Sequence, residues 1–132
     1  MAIVPHILAP SWRTADFGDG TSPVNFAQAL DPGEVKAYTI DCSREIPSSD
    51  NKIEVYTITL SALAALAGLR IRDESKDRST ITLWLQIDPA DRSKPNWDGA
   101  GETHVMTCRI EVTDGQIFER DISITIKQLG QG

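Results

Sequence analysis

After residue 34 the chain alternates polar and apolar residues with a period of two. In residues 35–42, Tyr38, Ile40 and Cys42 take one face, with Lys36 in the same phase at the entrance. Val35, Ala37, Thr39 and Asp41 take the other. Such alternation predicts a half-buried strand. Residues 52–60, KIEVYTITL, are rich in β-branched and aromatic residues and predict a second strand. The cleanest case is 80–87, TITLWLQI, with Ile81, Leu83, Leu85 and Ile87 on one side and Thr82, Trp84 and Gln86 on the other. Residues 103–112 put Met106, Cys108, Ile110 and Val112 in one phase. Asp114-Gly115 then marks a hairpin turn, answered by a strand carrying Ile122, Ile124 and Ile126.

The intervening segments are less regular. SREIPSSDN (43–51) is a polar loop, and RIR followed by DESKDRS reads as a short strand and a charged turn. SALAALAGL (61–69) is either a short helix, favoured by its alanines and leucines and closed by Gly68, or an irregular crossover. DPADRSKPNWDGAGE (88–102) predicts a long turn-rich loop. Residues 1–30 hold Pro5, Pro10, Pro23, Gly18 and Gly20 without a clean period, and read as an extended N-terminal arm preceding a domain at 31–132.

Five to seven short strands separated by turns predict an all-β fold, an antiparallel sandwich of immunoglobulin-like type. The spacing of Cys42 and Cys108 suits the two facing strands of such a domain. The other hallmarks of antibody domains are missing. The first tryptophan after Cys42 is Trp84, and Met106 stands where a tyrosine would precede the second cysteine.

The segment DPGEVKAYTIDCS (31–43) resembles the opening of the phage fiber-tail adaptor proteins, through Asp31, Pro32, Glu34, Val35, Tyr38, Thr39, Ile40 and Asp41. The order of later features is also similar to that family: Gly68-Leu69, then Thr82, Trp84 and Leu85, then Gly99 and Gly101 with CRIEVTDG, then FERDISITI. The match spans about residues 31–127. Cys42 departs from it, standing where the family often has tryptophan, as does the longer loop at 88–102. The resemblance implies a structural virion protein of a tailed bacteriophage, joining tail to fibers by protein–protein contact. Its implied partners are tail or head-to-tail adaptor proteins and a tail fiber protein, with several copies arranged symmetrically and assembled in the host cytoplasm. A capsid decoration protein with the same sandwich is the alternative.

Charge and candidate chemistry change this picture little. A net charge of −6 repels a phosphate backbone, so nucleic acid is not an expected partner. No apolar run reaches the roughly 18 residues that cross a bilayer, and the N-terminus lacks the basic start of a secretory signal. No membrane partner is expected. Cys42 and Cys108 are expected to be buried free thiols, and neither a metal nor a cofactor is expected. His104 with Glu102, Asp88 and Asp91 gathers around the long loop, but no nucleophile–base–orienter set is legible. These four read as exposed loop residues, and no enzyme activity is expected. A carbohydrate-binding module or small enzyme is the reading from another class, and it would need a converging polar site. Trp84 is open between packing against its own domain and meeting a partner. The expected interface residues are Trp12, Phe17 and Phe26 of the arm and Trp97 at the tip of the long loop.

Overall fold

The structure, a computed structural model, describes residues 6–129. In chain order the strands are β1 (Thr14–Asp16), β2 (Val24–Asn25), β3 (Lys36–Asp41), β4 (Ile53–Leu60), β5 (Leu69–Lys76), β6 (Thr80–Ile87), β7 (Glu102–Val112) and β8 (Ile117–Ile126), with helix α1 (Ala62–Ala67) between β4 and β5. They form two four-stranded sheets, in the orders β1-β3-β6-β5 and β2-β8-β7-β4. The trio β3-β6-β5 matches strands B-E-D of an immunoglobulin domain, and β4-β7-β8 matches C-F-G. The chain is therefore an immunoglobulin-like β-sandwich. All pairings are antiparallel except those of β1 on β3 and β2 on β8, which are parallel.

The inward rows are those of the alternating pattern. Tyr38, Ile40, Ile81, Leu83, Leu85 and Ile87 of the first sheet meet Met106, Cys108, Ile110, Ile122, Ile124 and Ile126 of the second, all buried. Burying such side chains contributes about 1.5–3 kcal/mol each for the larger ones. The rows recur in four long strands, so register is strongly fixed: a slip of one residue would turn every apolar side chain outward.

The arm expected at residues 1–30 is not an arm over the residues described. Residues 14–30 close one side of the sandwich, and residues 1–5 lie outside the described part. The Phe17 N–H donates to the Asp41 carbonyl of the first sheet at 2.8 Å. The Phe26 and Leu30 N–H groups donate to Ser123 and Thr125 of the second, each at 2.9 Å. Phe17 and Leu30 are wholly buried, and Phe26 packs edge-on against Tyr38 with ring centroids 4.9 Å apart. The physical reason is the edge. Without residues 14–30, β3 and β8 would each expose unpaired backbone groups beside an open core. Proline and glycine here mark the crossing from one sheet to the other.

Two further expectations change. The charged stretch DESK belongs to strand β5, because this is an edge strand with a bulge between Ile71 and Asp73. Its inward charges stitch the opposite side of the sandwich. Lys76 Nζ donates to the Ile53 carbonyl at 3.1 Å, and the Tyr56 hydroxyl bonds Glu74. Trp97 is not a loop tip. Pro95 starts a 3-10 turn that folds the loop back, and the indole is fully buried at the end of the core. Its Nε1–H donates to the Asp91 carbonyl at 2.8 Å, while its own carbonyl accepts from Gln128 N–H at 2.9 Å. Gly101 makes the fold-back possible. It has φ +69°, and a Cβ there would lie 2.0 Å from the Ile126 carbonyl oxygen.

Phe17→Ala and Trp97→Ala should therefore each destabilise the domain by about 3–5 kcal/mol, as large-to-small core substitutions do. Urea unfolding measures this, and a loss below about 1 kcal/mol would return either residue to the surface.

Cys42 and Cys108 are both buried and unbridged. Burial raises the Cys42 thiol, with Cys108 adding to it, and pushes Cys108 up to about 12. Both stay protonated in the folded chain where unfolded thiols, near 9.0, ionise. Their contribution to stability is whole below that value and is lost as pH rises from 9 toward 12. The melting temperature should fall between pH 8 and pH 10.5, by less in a Cys42→Ala/Cys108→Ala chain. An equal fall in both chains would contradict this.

Candidate functional site

The polar groups singled out in the sequence are largely occupied by structure. His104 lies in β7 and is buried rather than exposed on a loop. Its Nε2 meets Glu102 Oε1 at 2.9 Å, and Glu102 Oε2 accepts from Asn96 Nδ2 at 3.0 Å. The imidazole stands edge-on to Trp97, with ring centroids 6.3 Å apart. Asp91 pairs with Lys94 at 2.7 Å, and Asp88 accepts from Ala90 N–H at 3.1 Å while lying 3.6 Å from Arg70. The four are drawn to one end of the sandwich, where they anchor the fold-back that carries Trp97.

Helix α1 crosses the same end. Ser61 begins it, its Oγ accepting from Ala64 N–H at 3.1 Å, and Gly68 ends it in the left-handed region at φ +112°. That glycine is required twice over, since a Cβ would also lie 2.6 Å from an Asp91 carboxylate oxygen. The helix is ALAALA, and its polarity is inverted. The small residues Ala64 and Ala67 face the core, while Leu63 and Leu66 are 71% and 77% exposed. Ala62 and Ala65 are exposed too, so the whole outer side is apolar. A folding-only sequence would put the leucines inside and polar residues outside.

Beside this ridge runs an open cleft of about 510 Å³, walled by Leu63 and Leu66 and floored by Lys94, Asn96, Glu102 and His104. An apolar ridge next to a polar floor can hold the side of a protein partner. The leucine pair at i and i+3, bracketed by serine and glycine, was the sequence signal for it. The ambiguity between helix and crossover at 61–69 hid that signal.

Of the four expected interface residues, Trp12 alone is at the surface, at 55% exposure. Phe17, Phe26 and Trp97 are buried in the chain's own core and offer nothing to a partner. Trp12 lies near the β1 edge of the first sheet. Helix α1 leads into β5, the opposite edge of that sheet.

The structure also assembles a polar group that the sequence separated. His6 Nδ1 is 2.9 Å from Ser75 Oγ, and its Nε2 is 2.9 Å from Thr80 Oγ1 and 3.5 Å from Asp77 Oδ2. Thr80 Oγ1 donates to Asp77 Oδ1 at 2.7 Å, so it accepts from the imidazole Nε2–H. Burial pushes the Asp77 carboxyl up. The hydrogen bonds from Thr80 and Ser79, with His6 beside it, outweigh that and hold it below its ordinary value. Asp77 Oδ1 also caps the turn through the N–H groups of Ser79 and Thr80, so the carboxylate is committed to the β5–β6 turn.

No family model and no curated protein matches the chain. Among solved structures, the solution structure of the PKD domain from KIAA 1837 protein is similar at 14% identity. The match covers 96% of this chain and 97% of that one, with a TM-score of 0.39.

Replacing both outward leucines, in a Leu63→Lys/Leu66→Lys chain, should leave the stability of the isolated domain within about 0.5 kcal/mol per site. A loss of several kcal/mol in urea unfolding would show that the ridge is core.

Proposed function

We propose that the chain is a structural adaptor of a tailed-phage particle, acting by protein–protein contact, with the outer side of α1 as its docking ridge. The inverted helix carries this reading. Two leucines held in water on a capped, rigid turn leave about 1.5–3 kcal/mol of burial each unrealised in the isolated chain. A partner covering them would gain it. The resemblance of residues 31–127 to the phage fiber-tail adaptor proteins supplies the class of partner, a tail protein on one side and a fiber on the other. Repetition in a symmetric joint multiplies a modest contact into a lasting one. The reading places the chain in the virion tail and assigns it no catalysis.

A cryo-EM map of virions carrying the chain tests it. Sandwich-shaped density at the junction of tail and fiber, with α1 against a neighbour, is the expected result. Leu63→Lys/Leu66→Lys should abolish incorporation while the protein stays folded. Density on the capsid lattice would replace the adaptor reading with the decoration one, and absence from the particle would overturn both.

A further inference from the structure

Residues 6–10 do not enter the core. They run across the outer face of the first sheet, from β5 to β1, and each of the four strands meets them with a hydroxyl, β6 with a second through Thr80. Ser75 of β5 bonds His6, Thr82 of β6 donates to the Ile7 carbonyl, Thr39 of β3 accepts from the Ala9 N–H at 2.9 Å, and Thr14 of β1 donates to the carbonyls of Ala9 and Pro10 at 3.0 Å each. The middle pair is 2.8 Å apart. Because the Thr82 proton goes to Ile7, Thr39 must donate to Thr82. The result is a directed relay, Ala9 N–H to Thr39 to Thr82 to the Ile7 carbonyl, in which each hydroxyl gives once and accepts once. Such chains strengthen their own links.

The geometry suits extended chain. Three inter-strand spacings come to about 14 Å, and four residue steps of extended backbone come to about the same. Thr39 and Thr82 are buried beneath the segment, although both stand on the outward face of their sheet. Trp84, the next outward residue of β6, has its indole nitrogen shielded and without a hydrogen-bond partner among the described residues. This is a built polar floor rather than a solvated sheet face.

We infer that this hydroxyl row is a track for an extended peptide backbone, and that the corresponding segment of a second copy exchanges into it. The row reads mainly backbone groups, so it does not distinguish its own segment from a neighbour's. The segment gives little to its own core, since Ile7 is 38% and Leu8 64% exposed, with Trp12 just beyond. Release in one chain and capture by another preserves every hydrogen bond, so mutual exchange is nearly neutral for the track. The bias comes from Ile7, Leu8 and Trp12, which a second sandwich would cover. The segment leaves the body through Pro10, before the first pairing of β1, so exchange disturbs neither sheet. None of this depends on where in a particle the chain sits.

The test uses the full chain and a labelled peptide of residues 6–13. Saturable binding by fluorescence anisotropy is expected. A peptide N-methylated at Ala9, which lacks the N–H that Thr39 accepts, should bind about tenfold more weakly or worse. Excess unmodified peptide should convert assembled protein to monomer in light scattering. Thr39→Val/Thr82→Val should lose the peptide, and the N-methyl comparison holds even if that variant folds poorly. Absence of binding at millimolar peptide, or equal binding of the N-methylated form, overturns the track. A chain that stays monomeric at every concentration overturns the second copy as its occupant.

Discussion

A sandwich of two sheets has open sides, and this one depends on how the side beside β3 and β8 is closed. Those strands would otherwise end their sheets with unpaired backbone and leave the core open between them. Residues 14–30 answer both needs in one pass, pairing first with β3 and then with β8. Between the pairings Phe17 fills the seam under the Arg120 guanidinium, which lies 4.6 Å from the ring centroid and pairs with Glu45 at 3.1 Å. The other side is stitched by charged side chains of β5, and the end by Trp97. The inward rows of the long strands supply most of the burial, but they can be dry only once these closures are in place.

With the closures made, what stays apolar and exposed acquires meaning. The described chain spends Phe17, Phe26 and Trp97 on its own core. It leaves Leu63 and Leu66 outside on a helix capped at both ends, Ile7 and Leu8 outside over the face of the first sheet, and Trp12 outside near its β1 edge. Scattered exposed leucines need no explanation. A short helix whose two largest side chains face water while Ala64 and Ala67 face the core does need one, and the proposed docking would supply it.

The alternating strands were legible because period-two burial writes itself directly into residue type: the rows of β6, β7 and β8 could be named from sequence. Alternation predicts a half-buried β3, yet Ala37 and Thr39 on its other face are buried as well. Ala9 lies over Thr39 and Arg13 bonds the Ala37 carbonyl, and the segment they belong to carries no period. The same blindness made Phe17 and Phe26 look like free aromatics. Two- and three-residue strands are too short to show alternation, and their partners lie up to about a hundred residues away. Trp97 misled for a related reason. Its neighbours in sequence are polar, and the Gly101 turn that folds it inward packs against Ile126, far along the chain. The candidate site was half visible: Ser61 and Gly68 bracket a helix, but which of its residues face the core depends on packing that composition does not encode.

Closure of the sandwich requires residues 14–30 to belong to the cooperative fold. Native-state hydrogen exchange tests that most directly. The amide protons of Phe17, Phe26 and Leu30, bound to Asp41, Ser123 and Thr125, should exchange only through global unfolding, with the same free energy and denaturant dependence as amides in β6. The Ala9 amide, bound only to a side-chain hydroxyl, should exchange through a far smaller local opening. Exchange of Phe17, Phe26 and Leu30 through a low-energy opening, while β6 stays protected, would contradict the account and return residues 14–30 to the status of an arm.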